Sequence, residues 1–445
     1  MDGPPRPTLT AAADAVFVGE RTQLTAIFDG DSASIDGIGP VQSGVAVDTP
    51  VLSRKTTFTL RVLRGEAHAE AQATVQANYR NRIRVLDAAP VAQANHVATA
   101  LPDGRAIVMG GNTSETVLVP DSTLTQIFDP ATEKFSAGPD MMFSAEAQLF
   151  TSLVLLERGG FLLVGTGQGG GGGPRRFVVT QLFDPATVKF NQVGDTFTGA
   201  TSFRTATALS DGGALLTGGL TRRSSPVNNV VDRYDAASGQ WRAAGPMIHV
   251  RVVHTATRLN DGRVLVVGGL SCCQFPNPSA EFYTNTAEIY DPALDRFTPT
   301  GSMTAQRGSH AAALLPDGRV LITGGTGDDF SVGPLGTEIF DPATGQFSPG
   351  GDLQAARDSH AAVTLTDGRV LVIGGEAPPA ATGKVGVGVP VTEIYDPSTG
   401  RWTTGPTLDP ALFSATVTML GNGKVLVFGG QDAGGFPQAA VAVFE

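Results

Sequence analysis

Cysteine is almost missing from this chain: there are two in 445 residues, and they are neighbours, Cys272 and Cys273. An adjacent pair cannot tie distant segments together, so no disulfide framework holds the fold, and the cysteines leave the redox compartment open. No run of 18 or more apolar residues occurs, and the opening Met1-Asp2-Gly3-Pro4-Pro5 has no charged-then-apolar leader. The sequence as given therefore offers neither a membrane-spanning helix nor an export signal. Positive charge is also scarce, with 31 Lys and Arg against 42 Asp and Glu, a net charge of −11. Nucleic acids and anionic membranes are bound by positive surfaces that displace counterions, so neither is expected as a partner. Glycine (56) and proline (29) are plentiful, and only 16% of residues are charged. With Val, Thr and Phe to fill strands, this is the composition of a turn-rich all-β protein.

A chain of this length exceeds one ordinary core unless repeats let it grow by stacking, so repeats are the first test. Two signals recur in register. A hydrophobic run ends in Gly110-Gly111, Gly218-Gly219, Gly268-Gly269, Gly324-Gly325, Gly374-Gly375 and Gly429-Gly430, with a degraded copy at Gly165-Thr166-Gly167. Some 15 to 20 residues later comes an aromatic-Asp cluster: Phe128-Asp129, Phe183-Asp184, Tyr234-Asp235, Tyr290-Asp291, Phe340-Asp341 and Tyr395-Asp396, with Val443-Phe444 as a truncated last version. These define seven units of about 50 to 55 residues, the scale of propellers and arrays. In the fourth unit, alternation and turns place strands at 255–259, 263–269 and 286–290, with 240–243 from the preceding linker as outer partner. Asn260-Asp261-Gly262 and the 341–345 stretch are tight turns. The paired glycines leave room for neighbouring side chains.

The double glycine, the aromatic, and a Trp or Phe further on (Tyr234/Trp241, Tyr290/Phe297, Phe340/Phe347, Tyr395/Trp402) resemble the kelch repeat over residues 80–445. The spacing is most similar to bacterial kelch repeats related to the galactose oxidase propeller, and the resemblance implies a seven-bladed β-propeller at 79–445. The segment 81–88 has the spacing of an outer strand with no blade before it, and is expected to close the ring on Val441 to Phe444. Residues 1–78 lack the repeat signals but alternate as strands. Their ending, from Thr56 to Val75, resembles the last hairpin of bacterial immunoglobulin-like modules, which implies a small β-sandwich.

Eight residues before the turn glycine stand His96, His254, His310 and His360, with Arg204 at that position in the third unit. Three residues earlier are Arg251, Arg307 and Arg357. An arc of arginines at a pore mouth suits a carboxylate ligand. The structural reading carries more weight, because in the same three units the aromatic cluster is preceded by Glu288, Glu338 and Glu393. Units one and two carry Gln at both positions (Gln93 with Gln126, Gln148 with Gln181), and unit seven is apolar at both (Leu412, Ala442). Residues that change together within one chain are expected to touch, so Arg, His and Glu read as a polar network joining strand one to strand three. Candidate ligand contacts are Arg204, Arg251, Arg307, Arg357, Cys272, Cys273 and Tyr283. The cysteine pair reads as a vicinal disulfide or as two thiols, and its loop holds no partners for a metal. Gly169 to Gly173 lacks the Lys-Ser/Thr ending of a phosphate loop.

Resemblance to galactose oxidase raises a copper-radical enzyme, which calls for a Tyr-His dipeptide and a histidine from a further C-terminal domain. The five tyrosines here are followed by Arg80, Asp235, Thr284, Asp291 and Asp396, and the repeats run to Glu445. No catalytic residue, metal or cofactor is assigned. The expected role is a secreted or surface binding module, its export signal removed, which recognises a protein or glycan with its variable loops. The alternative is a carbohydrate-active enzyme, either an oxidase lacking the usual copper ligands or a sugar epimerase or lyase. Oligomeric state is not legible.

Overall fold

The computed structural model describes residues 5–87, 89–111, 123–142, 152–156, 160–168, 176–194, 203–219, 228–271, 283–327, 335–377, 387–432 and 436–445. Among the described residues, seven four-stranded antiparallel sheets follow one another, their first strands running from residue 97 onward. In the fourth, Thr255–Arg258, Val264–Val267, Ala287–Asp291 and Arg296–Pro299 lie side by side in chain order. The expected outer partner, 240–243, is corrected: Gln240–Ala243 pairs with Val231–Asp235 in the third sheet. The cause is local, since Gly239 (φ +70°) turns the chain straight back beside the strand it has just left.

The second strand of each sheet reads as an unbroken apolar run because both of its faces are covered. Val264 and Val266 pack in one cluster with Leu215, Tyr290 and Phe297, whereas Leu265 and Val267 pack in another with Val320, Ile322 and Phe340. The core is thus divided into layers between consecutive sheets. The aromatic spacing is a cross-strand pair: Tyr290 stands opposite Phe297 with ring centroids 5.0 Å apart, and Tyr395 opposite Trp402 at 5.1 Å.

The first strands, Val97–Ala100, Ser152–Leu155, Thr205–Ala208, Thr255–Arg258, Ala311–Leu314, Ala361–Thr364 and Thr416–Met419, each touch the next, and the last touches the first. They form a closed ring around an axis. The last sheet takes its outer strand from the start of the repeats, as expected: Ile83–Val85 pairs with Val441–Phe444 through Phe444↔Ile83, Val443↔Arg84 and Ala442↔Val85. A carboxylate clasp reinforces this join, with Glu445 bonded by Arg82 Nε at 2.8 Å and Lys424 Nζ at 2.6 Å. Burial pushes its carboxyl up, but the bonds and charges of Lys424 and Arg82 together outweigh this and hold it down at about 2.

The glycine pair has a narrower purpose than making room for long side chains. Gly268 and Gly269 lie at φ +62° and +98°, and the Gly269 N–H donates to Arg307 O of the next sheet at 2.9 Å. A Cβ on Gly269 would sit 2.6 Å from Val252 O and 2.9 Å from His254 Cβ, so backbone as well as side chain forbids it. Gly269→Ala is expected to lower stability by about 1–3 kcal/mol, the cost of a strained left-handed residue, with the clash in addition. A urea titration checks this, and an unchanged midpoint would remove the steric account of the pair.

Residues 8–78 form two sheets, one of three strands and one of five, enclosing Leu24, Ile35, Phe58, Leu60, Val62 and Val75. This sandwich rests on the short turns of the sixth and seventh sheets, at the end of the axis opposite His254, His310 and His360.

Candidate functional site

Arg251 Nε donates to Glu288 Oε1 at 2.9 Å, and Arg307 and Arg357 reach Glu338 and Glu393 at 3.0 and 2.9 Å. The arginines and their carboxylates are buried, and each Nη1 also donates to the first glycine carbonyl of its own unit: Gly268, Gly324 or Gly374. Desolvation lowers the arginines' affinity for protons, opposed by the adjacent carboxylate. The carboxylate does a second job, accepting the backbone N–H groups of Ile248 and Thr304 in units four and five. In unit one, Gln126 Nε2 donates to Gln93 Oε1 at 2.6 Å, and Gln93 reads Gly110 O as the arginines read theirs. Gln148 of unit two lies outside the described residues; its counterpart Gln181 accepts from Met142 N at 2.7 Å. In unit three the pair is built from a different position, Arg204 Nη1 to Asp232 Oδ2 at 2.6 Å.

The histidines do not join these pairs, which corrects the expected Arg-His-Glu network. His254 Nε2 lies 2.8 Å from Thr217 Oγ1 of the preceding sheet. His310 faces Thr255, His360 faces Thr323, and His96 meets Thr416 across the join of the ring. The ring planes lie over the glycines, with His310 Cε1 2.8 Å from where a Gly268 Cβ would be. From that position an imidazole reaches the neighbouring sheet and not its own glutamate. Burial first, and nearby arginines second, push His254, His310 and His360 down to about 3, and burial pushes His96 to about 4. All four are neutral at pH 7.

Among the described residues, six that stand immediately before these histidines or before their counterparts Arg204 and Ala415 lie in the left-handed region: Asn95, Phe203, Val253, Ser309, Ser359 and Ser414, with φ between 48° and 58°. Such angles are uncommon outside glycine and most costly for a β-branched residue such as Val253. Their backbones are linked around the axis, Ser359 N donating to Ser309 O and Ser309 N to Val253 O, each at 3.0 Å. Five of them line a mouth of about 440 Å³, Phe203, Val253, Ser309, Ser359 and Ser414, together with His254. The mouth is two-sided. Phe203 and Val253 join Val250, Val252 and Leu270 in an apolar cluster of their own. The serines occupy the other side.

Of the sequence candidates, Arg204 lines this mouth with its guanidinium turned to Asp232, whereas Arg251, Arg307 and Arg357 lie behind it, inside the sheets. Tyr283 pairs with Leu270 through a backbone bridge and lies against Gly308. Cys272 and Cys273, and nearly all of the variable loops, lie outside the described residues. Sequence reading missed the left-handed ring and the threonine partners. Small polar residues before three of the four histidines, Asn95, Ser309 and Ser359, were the available signal, which Val253 before His254 and Phe203 before Arg204 obscure.

The Kelch motif matches residues 359–408. No curated protein matches the chain. Among solved structures, the chain is similar to a fungal alcohol oxidase of the AA5 family in complex with copper. Identity is 16% and the TM-score 0.60, covering 82% of this chain and 75% of that one. Motif and structural likeness support a kelch-type β-propeller. Among the described residues at the mouth, the histidines spend Nε2 on threonine; four of the five tyrosines, Tyr79, Tyr234, Tyr290 and Tyr395, are buried elsewhere, and Tyr283 lies against Gly308. Among the described residues no three His, Cys, Asp or Glu side chains converge as a metal site.

Proposed function

We propose that the chain is a recognition module of bacterial type: a seven-bladed propeller at 79–445 carrying an immunoglobulin-like sandwich at 1–78. It binds a protein or glycan across the axial mouth and the loops around it, outside the cell or on its surface. One observation carries this reading, the two-sided mouth, which sets an apolar wall of Phe203 and Val253 opposite the serine hydroxyls of Ser309, Ser359 and Ser414. The charged groups closest to it are satisfied within the protein or held neutral. Such a surface suits a ligand that presents an apolar face and neutral hydrogen-bonding groups, and gives little to an acidic one. The candidate arginines serve this site from behind by fixing the sheets that carry it.

A glycan array and a protein pull-down with the purified chain test the proposal. For a ligand so found, Phe203→Ala and Ser359→Asp are expected to weaken binding at least ten-fold with little change in melting temperature. Binding untouched by both would remove the mouth as the site. Stoichiometric copper, or turnover of a sugar or alcohol, would replace the binding reading with an oxidase.

A further inference from the structure

We infer that the sandwich is a lock on the join of the ring, and not a spacer beside it. The sandwich meets the propeller at the turns of sheets six and seven, and the seventh is the sheet completed by the borrowed strand. Between the last sandwich strand, Ala67–Asn78, and the borrowed strand, Ile83–Val85, only four residues intervene. All four are committed or flanked by commitments. Tyr79 OH donates to Gly423 O at 2.6 Å in the turn of sheet seven, and accepts from Thr366 N at 3.3 Å in the turn of sheet six. Its ring packs on Phe444 of the joined strand, centroids 5.5 Å apart. Asn81, in the left-handed region, accepts from Arg369 Nη2 at 3.0 Å, and Arg82 exchanges backbone bonds with Glu445.

The fit leaves no slack. Thr366 Oγ1 donates to Ser53 O of the sandwich, and a Cβ on Gly423 would meet Ser53 Cβ at 2.7 Å and Val18 Cγ1 at 2.9 Å. The apolar contacts are continuous as well: Leu24, Leu52, Leu60 and Tyr79 share one cluster with Leu371, Val425, Val427 and Phe444. The ring can open only where its sheet is made of two distant pieces of chain, by peeling 83–85 from 441–444. Because Tyr79 holds both turns and the joined strand, peeling requires the sandwich to lift. The docked sandwich also fixes the mouth at the far end of the axis, facing away from whatever the sandwich adjoins.

Hydrogen exchange on the full chain tests this, because sub-global opening shows as faster exchange in one segment. Ser53→Arg places a wedge against Gly423 at a position outside the sandwich strands, and Tyr79→Phe removes only the hydroxyl bonds. In both, amides of Ile83–Val85 and Val441–Phe444 are expected to exchange faster, at least ten-fold in the wedge variant, while Val264–Val267 keeps its wild-type rate. Unchanged exchange at the join in both variants would make the sandwich a spacer and overturn the inference. An equal speed-up in all seven sheets would overturn it too, by showing general destabilisation.

Discussion

Arg251→Met is expected to lower stability by about 3–5 kcal/mol, the usual cost of leaving a buried charge without its partner. Arg251 is fully buried, and its loss strands the Glu288 carboxylate, also fully buried, together with the carbonyls of Gly268 and Thr286. Replacing both partners by apolar residues would not be neutral, because Glu288 also accepts Ile248 N at 2.6 Å. The protein supplies the better control itself. Unit one solves the same problem with two buried glutamines, Gln126 bonded to Gln93, which reads the carbonyl of Gly110. Arg251→Gln combined with Glu288→Gln is therefore expected to recover most of the loss, to within about 1–2 kcal/mol of wild type. Chemical denaturation of the single and double variants measures the coupling. If the single change costs under about 1 kcal/mol, these pairs are not what holds strand one to strand three.

Acid should unfold this protein more steeply than its carboxylates alone require. An unfolded histidine takes a proton near pH 6.5, whereas His254 and His310 stay neutral in the fold down to about pH 3, and His96 down to about 4. Between those limits the unfolded chain binds more protons, so stability rises with pH and is lost as pH falls through the window. Each fully ionised unfolded histidine contributes about 1.4 kcal/mol per pH unit, so these three give a slope of roughly 4 below pH 5.5. His360 adds to it, though less securely because it is partly exposed. Denaturation midpoints from pH 7.5 to 4.5 should fall continuously, and His254→Gln, which keeps a group able to meet Thr217, should flatten the slope by about a quarter. A level profile between pH 6.5 and 5 would mean that the histidines are not held neutral.

The repeat, the pairing of 83–85 with the last strand, and the correlated positions behind the mouth were legible because each is a comparison of the chain with itself. Gln93 with Gln126 and Arg251 with Glu288 betray contact by changing together. The histidines misled for the same reason: they occur in nearly the same units as the Arg-Glu pairs, yet their partners are Thr217, Thr255 and Thr323 in the preceding sheets. A residue that bonds the neighbouring unit leaves its correlation one repeat away, where threonines are common and carry little signal. Gln240–Ala243 was given to the wrong sheet because alternation identifies a strand without naming its neighbour.

Periodicity, turn chemistry and glycine placement are properties of short stretches of chain, and they were enough to specify the all-β class, the repeated sheet and the inner position of its apolar runs. The left-handed collar of the mouth and its division into apolar and hydroxyl sides depend on bonds between residues about one repeat apart, such as Ser309 and Val253, and the seating of the sandwich on the sixth and seventh turns depends on residues hundreds of positions apart, such as Tyr79 and Gly423. Those contacts exist only once the ring has closed. A backbone angle such as that of Val253 is imposed by bonds around the axis and has no counterpart in local propensity, which would have placed valine in an extended strand.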